Sequence, residues 1–378
     1  MQEKEKLQTL KDLMSKELDN LKIADEYKSL DKILSNGRES AKFIRELIHD
    51  DYELPAENSN LYDTAEMRAR HSVITFLMGL VFKNFEGLFD SIPSIIKNPE
   101  SNETAKHMWL ITSLYHDIAY HSTYIAKPTL NYKDNFNPYL LEDIYDNQWA
   151  SLNHFSKRFT GTMAYTYEEI NAYDKYAREY HAERDDNEKI DHGILGGIVT
   201  FERLATKSVK LNLYDELSLI KACSITIAQH NIFKCPSEKD MKRYERHPEL
   251  QRLYYNSDFK ITKHTPLLLF LCLIDTVECV KKFSKANNNN SFLQTLTTLS
   301  SIKVAVNRNS IKLDISELHK RVKEKKDTNF NKEFENYKEK CLNALTEWTT
   351  FSVNIVDDYI EISLDNTSDK TQVVKYAI

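Results

Sequence analysis

Met108-Trp-Leu-Ile-Thr-Ser-Leu-Tyr-His-Asp-Ile-Ala119 sets an imidazole and a carboxylate side by side in a run otherwise suited to burial. A desolvated carboxylate must pair, protonate or bind a cation, so His116-Asp117 at the end of a buried helix is costly without a partner. The oddity recurs along the chain. His71 opens the apolar run to Phe82, and His192 opens Gly-Ile-Leu-Gly-Gly-Ile-Val199. His230 closes Ala222-Cys-Ser-Ile-Thr-Ile-Ala-Gln229, and Asp275 ends Leu267-Leu-Leu-Phe-Leu-Cys-Leu-Ile274. Five apolar helices would each deliver a metal-competent side chain. That pattern predicts a mostly α-helical core holding a divalent cation.

The order His71, His116-Asp117, His192, His230, Asp275 resembles that of the HD-domain superfamily, the metal-dependent phosphohydrolases named after the dipeptide. The likeness covers about residues 65–285. It is similar in particular to the branch with H, HD, H, H, D ligands, which includes HD-GYP phosphodiesterases, CRISPR-associated HD nucleases and inositol oxygenase. Ala119-Tyr120 replaces the glycine and lysine that follow the pair in many members, and the Gly-Tyr-Pro signature is missing. The resemblance implies an HD-domain helical core in which His71, His116, Asp117 and Asp275 hold one metal. Asp117 would bridge to a second metal completed by His192 and His230. A bridging carboxylate keeps such cations roughly 3.5–4 Å apart. Mixed imidazole and carboxylate ligation suits manganese, iron, nickel, cobalt or zinc better than calcium. Two such ions bring a water to a pKa near 7 and clamp a phosphoryl oxygen.

Phosphate also needs cationic or N–H donors. Arg68 precedes His71 by three residues and His121 follows Asp117 by four, so these two join Asp117 as candidate catalytic residues. Lys127 and Lys234 follow ligands closely, and Asp191 could orient the His192 ring. The remaining histidines, His49, His107, His154, His181, His247, His264 and His319, stand in polar contexts and are not expected to be ligands.

The flanks are different in kind. Residues 1–64 read as an N-terminal helical extension. Leu7, Leu10, Met14, Leu18 and Leu21 form one apolar stripe, for packing on the main body or for homo-oligomerisation. Gly37 marks a break between helices. Between about 121 and 188 the helical pattern gives way to an insertion with Pro128, Pro138 and Gly161; eleven of the 21 tyrosines lie between Tyr115 and Tyr180. Tyrosine offers a stacking face and a hydroxyl, which suits a lid over a nucleotide. Gly193, Gly196 and Gly197 point to close backbone approach, chiefly helix against helix. Ala286-Asn-Asn-Asn-Asn-Ser291 reads as a linker. Beyond it, Ile302–Val306, Ile311–Ile315, a helix at about 329–347, Phe351–Val356 and Tyr359–Leu364 spell a small ββαββ appendage spanning 291–378.

Composition narrows the function. A net charge of −6 argues against broad adhesion to nucleic acid, despite the basic run His319–Lys326. Five cysteines without CxxC spacing predict reduced thiols in a cytoplasmic protein. The charged N-terminus is unlike a signal peptide. The longest apolar runs fall short of the roughly 18–20 residues of a membrane span. The expectation is therefore a phosphohydrolase acting on a nucleotide or other small phosphorylated compound. Its rivals are a nuclease on single-stranded nucleic acid, a di-iron oxygenase with the same ligand order, and a non-catalytic module that senses a ligand.

Overall fold

The computed structural model of the chain describes residues 7–49, 52, 54, 62–95, 102–121, 192–193, 196–197, 199–200, 203–204, 216–230, 266–283, 293–324 and 328–364. They fall into two units, Met1–Ser91 with Phe270–Gln372 and Ile92–Leu269 with Val373–Ile378. The described residues are mostly α-helical, with one five-stranded antiparallel sheet. In chain order the helices are α1 (Leu10–Asp19), α2 (Leu30–Ile33), α3 (Gly37–Ile48), α4 (Tyr62–Phe82), α5 (Leu88–Ser91), α6 (Asn102–Tyr115) and α7 (Glu216–Gln229). They continue with α8 (Pro266–Val277), α9 (Val280–Phe283), α10 (Thr295–Ser300), α11 (Ser316–Glu324) and α12 (Thr328–Trp348). The strands are β1 (Gln8–Thr9), β2 (Lys303–Val306), β3 (Ile311–Asp314), β4 (Phe351–Val356) and β5 (Tyr359–Leu364).

In the first unit, the Thr9 hydroxyl caps α1 by accepting from the Asp12 N–H at 3.1 Å. Leu10, Met14 and Leu18 then recur on one face and are buried against α4 and α10. The apolar stripe read from the sequence therefore serves packing inside the unit. Asn36 caps α3, whose first residue, Gly37, lies hard against α4. A Cβ on Gly37 would fall 2.1 Å from Glu66 Cγ and 2.6 Å from Glu66 Cα, so the two helices can approach this closely only at glycine. The Glu66 carboxylate accepts from the Gly37 N–H at 3.0 Å and pairs with Arg70 at 3.4 Å, which satisfies charges that burial would otherwise penalise. Helix α4 starts nine residues before His71, so that histidine stands in mid-helix rather than at its opening, on the same helix as Arg68.

The sheet of this unit runs β1-β2-β3-β5-β4. Val304 pairs with Leu313, Leu313 with Ile360, and Ile362 with Val353, and all of these side chains are buried on one face. On the other face Lys312 and Glu361 pair across β3 and β5. Both expected hairpins are present, and the helix expected at about 329–347 is α12, packed on β4. Several elements were not expected, α5 and α10 among them, and two more extend the appendage. One is α11, a charged helix that buries only Leu318 and Val322. The other is β1, which brings the N-terminal segment into the sheet by pairing with Val304 and Lys303. The fold of the described residues is therefore mostly α, not all-α.

In the second unit, α6 and α7 pack together around Met108, Trp109, Leu114, Cys223 and Ile227, all fully or almost fully buried. Burial pushes the Cys223 thiol up to about 12, so it stays a neutral core group. Gly196 lies against the end of α6: a Cβ there would meet the His116 carbonyl oxygen and Ile227 Cγ2, each at 3.2 Å. Close helix packing was the expected use of this glycine, and the backbone confirms it. Among the described residues no helix is long and apolar enough to cross a membrane. The tyrosine-rich insertion beyond His121 and the Asn-rich segment 286–291 lie outside the described residues.

Candidate metal centre

Each unit holds a buried cluster of histidine and carboxylate. In the second unit the helical hydrogen bonding of α6 runs one residue past its end, with the His116 N–H donating to the Thr112 carbonyl at 3.0 Å. The side chain of His116 then turns back, and its Nδ1 lies 2.8 Å from the Ser113 carbonyl oxygen. His230 repeats this at the end of α7, with Nδ1 at 2.6 Å from the Ile227 carbonyl oxygen. A carbonyl can only accept, so in each ring Nδ1 carries a proton, and it is Nε2 of the neutral ring that has the lone pair to offer. That is how a metal-binding histidine is oriented from behind.

Asp117 follows immediately, 2% exposed. Its Oδ1 lies 3.4 Å from His192 Nε2, and its Oδ2 lies 3.6 Å from His116 Nε2. The His230 ring meets the rings of His116 and His192 edge to face, at 5.4 and 5.1 Å between centroids. One ligand atom each from Asp117, His192 and His230 lies within 4.8 Å of the others. Donors at about 2.1 Å from a tetrahedral cation stand about 3.4 Å apart, which is the separation of Asp117 Oδ1 and His192 Nε2, and one carboxylate with two imidazoles is a donor set that suits a transition metal.

In the first unit, α4 supplies His71 and α8 supplies Asp275. Helix α8 is apolar on all sides, with Leu267 to Ile274 at most 4% exposed, so Asp275 arrives where an unpartnered charge would be expensive. Its Oδ1 lies 3.0 Å from His71 Nε2. The opposite edge of the same ring is taken by Glu278, whose Oε2 lies 2.8 Å from His71 Nδ1. Glu278 also accepts from the backbone N–H groups of Val280 and Lys281 just past the end of α8. Burial raises the Glu278 carboxyl, but the hydrogen bond and charge of His71, with Lys281 and the Val280 N–H, outweigh it and hold the group below its ordinary value. The Lys281 ammonium sits 2.5 Å from Asp275 Oδ1 and 3.4 Å from His71 Nε2.

All six candidate ligands read from the sequence thus lie in buried or half-buried clusters, four in the second unit and two in the first. Arg68 is half-buried on α4, one turn before His71. His121 ends a 3-10 turn, Ile118–His121, and its side chain is outside the described residues, as are Lys127, Lys234 and Asp191. His49 ends α3 in a left-handed conformation, and His319 bonds Asp358, so neither serves a cluster described above. Sequence reasoning missed Glu278 and Lys281. Glu278 carried the same signal as Asp275, a carboxylate in the apolar run Pro266–Val280.

Comparison of the chain with protein-family models, with curated proteins and with solved structures returns no match.

Proposed function

We propose that this chain is a metal-dependent phosphohydrolase that cleaves a nucleotide or another small phosphorylated compound. The observation that carries the reading is the meeting of Asp117, His192 and His230 donor atoms within 4.8 Å of one another, with the His230 Nδ1 proton committed to a backbone carbonyl. The ligand order read from the sequence adds His71, His116 and Asp275 to the cation-binding set. A bound divalent ion supplies a water that ionises near pH 7 and a positive charge against a phosphoryl oxygen. Asp117 contributes the anionic donor. His116 and His230 are held in the tautomer that presents Nε2, so no ring rotation is needed when the cation arrives. Glu278 holds His71 in the same sense from the first unit. The acidic balance of the chain favours a small substrate over long nucleic acid.

The test is metal analysis of protein purified without chelator, followed by a phosphate-release screen over nucleotides with manganese, cobalt or iron restored. The reading expects between one and two transition-metal ions per chain and metal-dependent release of phosphate from at least one nucleotide. Iron with oxygen uptake and no phosphate release would point instead to an oxygenase. Metal without turnover on any substrate would point to a sensing module.

A further inference from the structure

The first-unit cluster sets one imidazole between two carboxylates and places an ammonium beside it. On one edge of the ring Glu278 Oε2 lies 2.8 Å from His71 Nδ1. On the other edge His71 Nε2 lies 3.0 Å from Asp275 Oδ1. The ammonium of Lys281 stands beside both atoms, 2.5 Å from Asp275 Oδ1 and 3.4 Å from His71 Nε2. The spacing of His71 Nε2 and Asp275 Oδ1 is also that of two ligands on one ion. Donors at right angles on one cation, each about 2.1 Å from it, stand about 3.0 Å apart. The lysine therefore engages the same two atoms that the ligand pattern assigns to a metal.

We infer that Lys281 is the internal cation of the His71–Asp275 pair, and that a divalent ion binds there only by displacing it. This rests on the metal-binding part of the reading above and names a regulation of that site. Displacement is feasible because Lys281 lies on α9, just past the break in the helix after Val277, and its side chain is already 15% exposed. A four-carbon stem can carry the ammonium outward by rotamer changes alone. The consequence is a tax on metal affinity. A site competent for only about a tenth of the time binds about tenfold more weakly than its intrinsic affinity. The lysine also keeps the pair satisfied in the metal-free protein, so the core need not wait for a cation to form.

The experiment is cobalt(II) titration of the full chain and of Lys281→Met, followed by calorimetry and by the visible absorption of bound cobalt. The expected result is that one site tightens by about tenfold or more in Lys281→Met while any other site keeps its affinity. Unchanged or weaker binding at every site overturns the proposal. Should the variant fail to fold, the native chain decides. Acetylation of Lys281 by acetic anhydride, read by peptide mass spectrometry, should rise several-fold on cobalt saturation, and an unchanged or lower yield overturns the proposal. Absence of cobalt binding in both chains removes the metal reading and this proposal together. Cobalt binding with the expected contrast, but with no phosphate release from any substrate, upholds the lysine and rejects the hydrolase.

Discussion

In the first unit His71 stands between two carboxylates and an ammonium, whereas in the second Asp117 stands among three histidines. The two clusters use the same residue types and reach opposite solutions. Side chains satisfy the first: Glu278 fixes the ring, and Lys281 balances Asp275. Backbone orients the second: the carbonyls of Ser113 and Ile227 take the Nδ1 protons of His116 and His230. Helix ends make this possible, because the last carbonyls of a helix lack intrahelical partners and carry its negative pole. The lesson is that a histidine at a helix end comes with its own orienting acceptor. One in mid-helix, such as His71, must borrow a carboxylate from another element.

The largest expected effect separates the clusters by function. His230→Ala removes an imidazole from the second cluster alone, so phosphate release should fall by about a thousandfold or more, equivalent to about 4 kcal/mol of transition-state stabilisation. Binding of a cation that uses His71 and Asp275 should persist. Wild-type turnover in this variant would remove His230 from the centre.

A smaller effect tests the claim that the first cluster is satisfied by side chains. Glu278→Ala leaves the His71 Nδ1 proton and the Val280 N–H without their acceptor, and breaking a buried charged pair costs about 3–5 kcal/mol. Denaturant unfolding of the metal-free protein measures it, and a loss under about 1 kcal/mol would show that the cluster contributes little. The pH dependence follows with its sign. Glu278 is held below its ordinary value in the folded chain, so its contribution is present above the unfolded value and disappears as pH falls through the folded one. Glu278→Gln should accordingly flatten the acid limb of the stability profile.

Much of this was legible in the sequence, and the reason is local. An apolar run that ends in histidine or aspartate announces a buried charge whatever the surrounding fold, so all six candidate ligands could be picked from single stretches of chain. The hairpins were equally local, since alternation around a short polar turn suffices; in the first, Asn307 Oδ1 accepts from the N–H groups of Asn309 and Ser310. What stayed hidden depends on distance or on a break in periodicity. Strand β1 is two residues long and finds its partner almost 300 positions away, which no window can see. Helix α11 offers only two buried apolar residues. Lys281 lies six positions after Asp275, beyond the end of α8, where helical spacing no longer tells which side chains meet.

The central claim is that these buried carboxylates and imidazoles exist to hold cations, and Asp117 is the residue on which that claim depends most. The direct measurement is elemental analysis of the wild-type chain and of Asp117→Ala, each purified without chelator and equilibrated against the same manganese or cobalt buffer. The account predicts between one and two ions per wild-type chain and a loss of at least one ion in the variant. Equal metal content in the two folded chains, or no metal in either, would contradict it.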